Sequence, residues 1–272
     1  MHRLLRRLHL ILTMMTTLKD RTVLITGASA GIGKACADVF ARFGARLLLC
    51  ARRINRLYDM EGPLRSQGAG DVMSLEVDVR SRDDVSRVLG KLADPWCQVD
   101  LLVNNAGLSR GLHPIYEGEI DDWEEMIDTN IKGLLYVSRV VMPGMVERGA
   151  GHIINIGSIA GHEVYPRGNV YCATKSAVDA ITRGMIIDLH GTGVRVTTVD
   201  PGLVETEFSS VRFRGDVERA ASVYRGTTPL RPEDVAEAVA WCATRPAHVA
   251  VREMILTATD QASATVVRRT TA

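Results

Sequence analysis

The chain has 272 residues, enough for one large α/β domain, and its middle contains no linker-like run of proline, serine or charge. Its 33 basic and 32 acidic residues nearly cancel, and no basic stripe with interleaved aromatic residues occurs, which argues against nucleic acid as a partner. Five scattered cysteines without zinc-type spacing indicate a reducing compartment such as the cytoplasm, and no metal site, so a small-molecule function is favoured.

The first 18 residues carry three arginines, no acid, and an apolar stretch that is too short to span a bilayer. They could be a targeting segment, an amphipathic helix at a membrane surface, or upstream sequence joined to a chain whose true start is Met14 or Met15. The last hypothesis is favoured, and no membrane partner is expected. Residues 1–18 are therefore predicted to be an extension and residues 19–272 a single domain. A chain that begins at Met14 is expected to keep its melting temperature and kcat.

Seven short apolar runs rich in β-branched residues are predicted to be strands: 22–26, 46–51, 72–79, 100–107, 152–158, 194–202 and 253–259. Helical patterns lie between them. Continuous apolar runs indicate strands that are buried on both faces, and the alternation with helices indicates right-handed βαβ units. The predicted fold is a single-domain α/β Rossmann-type doubly wound parallel sheet, flanked by helices, with ligands beyond the carboxyl ends of its strands.

The loop after the first predicted strand reads TGASAGIG, from Thr26 to Gly33. Its glycines let the backbone turn tightly and approach a pyrophosphate, whose charge the N-terminus of the next helix stabilises. The spacing is GxxxGxG, not the commoner GxGxxG, and an ordinary glycine-rich turn is the alternative. On the first strand of an alternating chain, dinucleotide binding is favoured.

After the second predicted strand, Ala51 stands where an acid would bind a ribose 2′-hydroxyl, and Arg52 and Arg53 follow it. Arginine suits a 2′-phosphate, so NADP is the predicted cofactor. The alternative is two solvated arginines at the start of a helix. Further along, His162 in HEVYP is expected to be a loop residue, because Pro166 stands where a zinc motif would need its second histidine.

The segment YCATK places Tyr171 and Lys175 about one helical turn apart, on the same face. A phenol loses its proton near pH 10, but an adjacent ammonium favours the phenolate by ~1 to 3 pK units. Tyr171 is therefore a candidate acid and base. The alternative is a tyrosine that packs by its ring beside a lysine that reaches water.

Together these motifs resemble the short-chain dehydrogenase/reductase family over nearly everything after Lys19. The glycine loop corresponds to the family's glycine motif, and NNAG at residues 104–107 corresponds to its fourth-strand motif. The resemblance implies a catalytic tetrad of Asn130, Ser158, Tyr171 and Lys175.

Each member of the tetrad has a role that the resemblance implies. Ser158 would hydrogen-bond the substrate oxygen while Tyr171 gives or takes the proton. Lys175 would lower the pKa of the phenol and hold the nicotinamide ribose. Asn130 would keep a water in line with Lys175, or would otherwise be a helix-kink or surface asparagine.

The resemblance also implies where NADP binds, with Asp78 at the adenine amine and Thr206 at the nicotinamide. The expected cofactor-binding residues are Gly27, Ser29, Gly31, Ile32, Gly33, Arg52, Arg53, Asp78, Val79, Asn104, Ala106, Gly107, Tyr171, Lys175, Pro201, Gly202, Val204 and Thr206.

The C-terminal half is similar to NADP-dependent 3-hydroxy acid dehydrogenases, including serine and allo-threonine dehydrogenases. The resemblance implies a small 3-hydroxy acid such as serine, allo-threonine or 3-hydroxypropionate, oxidised at C3, or its semialdehyde, reduced. A broad NADPH-dependent ketone or aldehyde reductase is the alternative. A dinucleotide-binding regulator without catalysis is disfavoured, because no tetrad member is missing.

The substrate is expected to contact Ser158, Tyr171 and one arginine. The segment after Gly202 is the expected lid, and if it is extended only one of Arg212 and Arg214 faces inward. Arg212 is the favoured partner for a carboxylate, since a guanidinium matches its geometry. Arg167 is the second candidate, and it stands where this subgroup usually has a small residue. Surface charges without a binding role are the alternative for both.

The family resemblance further implies a homotetramer. The helix of Tyr171 carries a second stripe of mostly small residues, Ala173, Ala177, Ile181 and Gly184, which permit close approach of another helix. Packing within the subunit is the alternative.

Overall fold

Seven parallel strands form one sheet in the computed structural model, which describes residues 17–270. The strands are β1 (Thr22–Thr26), β2 (Arg46–Ala51), β3 (Asp71–Glu76), β4 (Val99–Asn104), β5 (Gly151–Ile156), β6 (Val194–Pro201) and β7 (Glu253–Leu256). Their order across the sheet is β3-β2-β1-β4-β5-β6-β7. The direction in which successive strands are added therefore reverses between β1 and β4, as in a doubly wound fold. The predicted single-domain Rossmann-type fold is confirmed.

Helices cover both faces of this sheet. They are α1 (Gly31–Arg42), α2 (Ile54–Ser66), α3 (Arg82–Leu89), α4 (Ile120–Ile127), α5 (Leu134–Glu147), α6 (Asn169–Asp188), α7 (Phe208–Arg212), α8 (Val217–Ser222) and α9 (Pro232–Ala243). A π-helix, Asp128–Gly133, joins α4 to α5, and short 3-10 turns lie at Ile115–Glu117 and Ile159–Gly161.

Two hydrophobic cores lie on opposite faces of the sheet. Neighbouring residues of a strand point to opposite faces, so Val23 of β1 packs with α1, α2 and α9, whereas Leu24 packs with α3, α5 and α6. Both residues are fully buried. The continuous apolar runs of the central strands thus have the burial that the sequence predicts.

The two edge strands depart from that prediction. Apart from the buried Val72, the residues of β3 and β7 are exposed or only partly buried, and Ile255 of β7 is 52% exposed. Each of these strands has a neighbour on one side only. A run of apolar residues therefore did not guarantee burial on both faces at the edges of the sheet.

Most predicted strands also run too far at their carboxyl ends. The ladder of β3 stops at Glu76, that of β4 at Asn104 and that of β5 at Ile156. Beyond these points the backbone finds other partners: the Asp78 amide donates to Asp84, and the Asn105 amide donates to the Thr26 hydroxyl. The motif residues therefore lie in loops at the carboxyl edge of the sheet.

The predicted extension falls mostly on residues 1–16, which lie outside the described residues. Leu18, assigned to that extension, is 5% exposed and packs in the first core, so it belongs to the domain. No helix between residues 17 and 270 has the length and apolar character needed to cross a membrane. All five cysteines are free thiols.

Candidate active site

The N-terminus of α1 faces the carboxyl edge of the sheet without a cap. The side chain of its N-cap residue, Ala30, accepts no hydrogen bond from the helix, and the first turn contains no acidic residue. Gly27 and Gly31 have φ angles of +65° and +52°, which residues with a side chain rarely adopt. A Cβ on Gly33 would lie 2.5 Å from the Gly27 carbonyl oxygen. The free N–H groups of this turn fit a pyrophosphate, because nothing in the helix satisfies them.

Three guanidinium groups lie beside the glycine loop. Arg53 donates from Nε and NH2 to Ser29 Oγ at 3.3 and 3.2 Å. Arg53 also donates to Glu207, which accepts from Arg56 at 2.7 Å as well. Arg52 is half-exposed, and its guanidinium lies 3.9 Å from the carboxylate of Glu125. This donor set fits a doubly charged 2′-phosphate. The sequence did not indicate Arg56 or Glu207, although Arg56 follows Arg53 by about one turn of helix.

The carboxylate of Asp78, expected at the adenine amine, is paired with Arg80. Both of its oxygens accept from Arg80, at 2.6 to 3.0 Å. Burial would raise the pKa of Asp78, but the hydrogen bonds and charge of Arg80 lower it. Glu125 on α4 faces three arginines, namely Arg52, Arg80 and Arg110. This acid, which the sequence did not indicate, thus connects the loops after three strands.

Asn104 does not face the expected cofactor site. Its amide nitrogen donates to Ser138 and to Asn155, both at 2.9 Å, inside the second core. Its neighbour Asn105, which was not predicted, donates to the carbonyls of Thr26 and Gly27 and so holds the glycine loop. The side chain of Asn104 is therefore turned away from the cofactor site, which leaves only its backbone for the contact that the resemblance implies. Its amide is needed between β4 and β5.

Several other expected cofactor residues line the same edge. Val79 is buried and packs against Gly133 of the π-helix. A Cβ on Gly31 would contact Thr206 at 3.3 Å, so the segment after β6 folds over the glycine loop. Ile32 packs beside the first core, and the Ala106 amide donates to the Thr26 hydroxyl. Three further expected residues lie at or after the end of β6, namely Pro201, Gly202 and Val204.

Tyr171, Lys175 and Ser158 meet at the end of β5. Tyr171 and Lys175 lie one turn apart on α6, both are buried, and Lys175 Nζ is 6.0 Å from the centroid of the tyrosine ring. Lys175 donates to the Ile156 carbonyl at 2.8 Å. Ser158 Oγ accepts from the Ala160 amide and donates to the Pro201 carbonyl at 3.3 Å, and the Ser158 hydroxyl acts to lower the pKa of Tyr171. Three members of the predicted tetrad are thus brought together.

Asn130 is held within the π-helix by its own amide. The amide nitrogen donates to the Leu108 carbonyl and the Thr174 hydroxyl, and the side-chain oxygen accepts from the Leu108 amide. A Cβ on Gly107 would lie 3.3 Å from that oxygen and 3.7 Å from Lys175 Nζ. The side chain of Asn130 thus fixes the loop beside Lys175, and the expected water in line with Lys175 stays a prediction.

The electrostatics of the pair differ from the prediction. Burial raises the pKa of Tyr171, against which the charge of Arg212 and the hydrogen bond with Ser158 act. Burial also lowers the pKa of Lys175 to about 8. Lys175 is directed to the Ile156 carbonyl, so in this geometry it does not bring Tyr171 to titrate near neutrality.

Arg212 lies over the ring of Tyr171. Its guanidinium is 5.3 Å from that centroid, 5.1 Å from Phe208 and 5.7 Å from Tyr165. It donates to the Tyr165 hydroxyl at 2.6 Å and to Ser109 Oγ at 3.0 Å. The segment is helical at α7 and not extended, and Arg214 turns away to Asp122. The sequence did not indicate Tyr165, the residue that fixes Arg212.

A cleft opens beside Tyr171. It is lined by Ser109, His113, Trp123 and Arg167, among others. Arg167 is exposed and has a φ of +64°, a strained conformation for a residue with a side chain. The structure therefore places Arg212 against the tetrad and Arg167 at the outer wall.

His162 is not a free loop residue. Its Nε2 lies 2.9 Å from Asp200 and 3.7 Å from Glu253. Asp200 is buried and also accepts from the Thr198 hydroxyl at 2.6 Å. The expectation for His162 is corrected, because the sheet brings β6 and β7 beside the turn that follows β5.

Comparisons with known proteins agree with this geometry. The family model described as short chain dehydrogenase matches residues 21–216. The NADP-dependent 3-hydroxy acid dehydrogenase YdfG of Salmonella typhi is 50% identical over 228 residues, covering 84% of this chain and 90% of that protein. Sulfoacetaldehyde reductase 2 of Chromohalobacter salexigens is 45% identical over 241 residues, covering 88% of this chain and 95% of that protein.

A solved structure is similar over nearly the whole chain. It is the closed form of serine dehydrogenase complexed with NADP+, with 46% identity, a TM-score of 0.85, and coverage of 92% of this chain and 100% of that one. The chain belongs to the short-chain dehydrogenase family.

Proposed function

We propose that this chain, an NADP-dependent oxidoreductase acting on a CH–OH group, transfers a hydride between the nicotinamide and C3 of a small 3-hydroxy acid or its semialdehyde. Serine, allo-threonine and 3-hydroxypropionate are the acids that fit this description. The position of Arg212 beside the Tyr171 ring carries the proposal. The relatives named for 3-hydroxy acids and serine support it.

The residues around Tyr171 account for the proton in this reaction. Bound NADP supplies the hydride donor or acceptor and, when oxidised, a positive charge. Tyr171 holds the proton that the substrate oxygen gains or loses, and Ser158 hydrogen-bonds that oxygen and orients the carbonyl carbon. Because burial raises its pKa, Tyr171 is protonated and ready to donate in the direction of reduction. Asn130 holds the loop at Gly107 that borders the Lys175 ammonium.

Arg212 supplies a cation for the acid group of the substrate. When Ser158 and Tyr171 hold the oxygen on C3, a carboxylate two carbons away lies within the lid. Arg212 is half-buried among three aromatic rings, so water competes less with a substrate for its hydrogen bonds. A guanidinium can bind a carboxylate through two parallel hydrogen bonds. Arg167 at the outer wall of the cleft is the second candidate for this contact.

The test compares 3-hydroxy acids with their methyl esters and with simple secondary alcohols, in wild type and in Arg212→Ala. A charge-assisted contact contributes about 1.5 to 3 kcal/mol, so kcat/KM for the acids should fall roughly ten- to a hundredfold. Activity on neutral alcohols should hardly change. Arg214→Ala is the matched control, because it removes the other lid arginine, which is 64% exposed and bonded to Asp122.

The outcome for the substrates decides between functions. If esters and simple alcohols are turned over as well as the acids, the enzyme is a broad NADPH-dependent ketone or aldehyde reductase. A sulfonate is the second acid group to include, since one relative is named for sulfoacetaldehyde. In sulfoacetaldehyde the sulfonate is separated from the aldehyde carbon by one CH2 group, as the carboxylate of a 3-oxo acid is separated from its carbonyl carbon. Preference for sulfoacetaldehyde over the carboxylic semialdehydes would make that the function.

We also propose that the protein works as a homotetramer. On α6, Ala173 is exposed, and an added Cβ on Gly184 would meet nothing within 4 Å. Ile255 on β7 and Trp241 on α9 are large apolar side chains that are about half exposed. Surfaces of this kind favour contact with a second copy. A cytoplasmic location remains a prediction that the free thiols support.

A further inference from the structure

Asp200 is a buried carboxylate at the end of β6 that the proposed mechanism does not use. It is 1% exposed. One of its oxygens accepts from Thr198 Oγ1 at 2.6 Å, and the other lies 2.9 Å from His162 Nε2. Burial raises the pKa of Asp200, and these two hydrogen bonds act against that rise. The carboxylate is therefore held in a single orientation on the inner side of the active site.

Contacts tie this carboxylate to the segment that carries Ser158. A Cβ on Gly157 would lie 1.8 Å from the Asp200 oxygen, so only glycine can stand directly before Ser158. Ser158 donates to the carbonyl of Pro201, the residue after Asp200. His162 follows the 3-10 turn that Ser158 caps, and it binds the same carboxylate. Asp200 thus contacts both ends of the short segment from Gly157 to His162.

Charge ties Asp200 to Lys175 as well. Lys175 is buried, and its ammonium donates to a carbonyl instead of a carboxylate. Burial lowers its pKa to about 8, and the negative charge of Asp200 limits this drop. The carbonyl of Lys175 packs against Gly161, in the turn between Ser158 and His162. Asp200 is therefore the acid that supports the buried cation.

We propose that Asp200, with His162 as its partner, is a positioning residue for the catalytic centre: its carboxylate fixes the Ser158 segment, and its negative charge stabilises the Lys175 ammonium. This inference rests on the proposed roles of Ser158, Tyr171 and Lys175. The acids that face His162 come from three elements, namely Asp200 on β6, Glu253 on β7 and Asp179 on α6. Burial acts to lower the pKa of His162, but the three acids together raise it.

The sign of the effect on pH dependence follows from electrostatics. Removing an anion lowers the pKa of a cation near it, so loss of the Asp200 charge lowers the pKa of Lys175. Reduction needs the proton on Tyr171 and the charge on Lys175, whose ammonium is expected to hold the nicotinamide ribose, so activity is lost as pH rises through the pKa of Lys175. The alkaline limb of kcat/KM should therefore move to lower pH without the carboxylate.

The experiment measures pH profiles of NADPH-dependent reduction for wild type, Asp200→Asn and Glu253→Gln. Asn preserves the size of the side chain against Gly157. The alkaline limb should move down by about one pH unit in Asp200→Asn, a tenfold loss on that limb. It should move much less in Glu253→Gln, which removes an acid that is 44% exposed on the other side of His162.

Three outcomes would overturn the inference. The first is a wild-type alkaline limb in Asp200→Asn with a loss of activity or melting temperature at all pH values, which would show a structural role. The second is a shift of the limb in Glu253→Gln as large as that in Asp200→Asn, which would show an unspecific charge effect. The third is a rise in melting temperature on addition of Zn²⁺ to wild type and not to Asp200→Asn. The ligand atoms of His162, Asp200 and Glu253 lie within 4.8 Å of one another, so this last result would identify a metal site.

A pair of variants at His162 tests the same inference without a change in the core, should Asp200→Asn fail to fold. The His162 side chain is 26% exposed. His162→Lys places a permanent cation against Asp200 and should move the alkaline limb to lower pH. His162→Gln keeps an N–H donor without charge and should leave the limb at or above the wild-type position. If the two variants shift the limb in the same direction, Asp200 does not act through its charge.

Tyr171→Phe in the same series separates the inference from the proposed function. If Tyr171→Phe keeps its activity, the proposed catalytic site is wrong. If Tyr171→Phe is inactive and the profile of Asp200→Asn matches wild type, only the inference about Asp200 fails.

Discussion

Tyr171 and Lys175 share a face of α6 because of helical periodicity, yet their ionisation depends on what surrounds that face. Burial raises the pKa of the phenol and lowers the pKa of the ammonium to about 8. Tyr171 packs beneath the lid helix α7, whose Phe208 ring lies 5.5 Å from the Tyr171 ring, whereas Lys175 is buried at the Ile156 carbonyl beside Gly107. Spacing in the sequence therefore predicted the pair, but not its electrostatics.

Removal of the Tyr171 hydroxyl tests its role as proton donor. Tyr171→Phe should fold and bind NADPH like wild type, because the ring remains packed against Phe208 and Arg212. It should lose nearly all turnover, because no other group replaces the proton. Circular dichroism and NADPH fluorescence check folding and binding, and steady-state kinetics checks turnover. A wild-type rate would show that Tyr171 is not the donor.

Arg52 tests the choice of cofactor. Arg52→Ala should raise the KM for NADP roughly ten- to a hundredfold, on the 1.5 to 3 kcal/mol of a charge-assisted hydrogen bond, and raise that for NAD far less. Arg65→Ala is a suitable control, because it removes an arginine of α2 that binds Glu61 and Asp71 instead. Equal effects on both cofactors, or a wild-type preference for NAD, would contradict the assignment.

Elements of the fold determine where the motif residues can act. The π-helix Asp128–Gly133 turns Asn130 inward, and the 3-10 turn after β5 is capped by Ser158. Neither element could be predicted from an apolar pattern, since each is short and irregular. The lid shows the same limit. An extended segment was one way to separate Arg212 from Arg214, but in the structure Arg212 ends a short helix and Arg214 lies beyond it with a φ of +53°.

The pairing of β5 with β6 contains a buried histidine that makes stability depend on pH. His152 Nε2 lies 2.8 Å from Thr197 Oγ1, which donates its own proton to the Val251 carbonyl. Burial lowers the pKa of His152 to about 3 from an ordinary 6.5. His152 thus stays neutral in the folded state over a pH range in which the same histidine of the unfolded chain binds a proton.

This difference predicts loss of stability in acid. Above pH 6.5 both states are neutral at His152, and the residue adds no pH dependence. Between pH 6.5 and about 3 the unfolded state binds the extra proton, so the free energy of unfolding should fall by ~1.4 kcal/mol per pH unit from this residue. Denaturant unfolding between pH 7 and pH 5 should show a shallower slope in His152→Gln. A slope equal to wild type would contradict the prediction, and His248→Gln at an exposed histidine is the control.

At the scale of the whole molecule, the stripe on α6 distinguishes a tetramer from a monomer. Gly184 and Gly62 both lie within helices and have nothing within 4 Å of an added Cβ in the subunit. In a monomer, replacing either glycine would favour the helix by roughly 0.5 to 1 kcal/mol. If α6 packs against a second copy, a large side chain at Gly184 alone would block that contact.

Light scattering should therefore find a tetramer for wild type and for Gly62→Leu, and smaller species for Gly184→Leu. A wild-type monomer at micromolar concentration would refute the tetramer. An unchanged tetramer in Gly184→Leu would place the interface elsewhere on the surface.

The amino-acid sequence by itself determined the parts of this protein that depend on local periodicity. Continuous apolar runs predicted the parallel sheet, the glycine loop predicted an open helix N-terminus, and the spacing of Tyr171 and Lys175 placed them on one face. Each of these depends on residues a few positions apart, whose geometry the backbone sets directly.

Only the tertiary structure decided which long side chains meet. Arg212 reaches Ser109 and Tyr165, and Glu125 faces arginines from three loops. Asn104 turns into the core, although its motif placed it at the cofactor. His162 and Asp200 are separated along the chain and meet because β5 and β6 are neighbours. Hydrogen bonds and charges act over a few ångströms of space, and the order of the strands, which brings distant residues to one edge, determines which groups come that close.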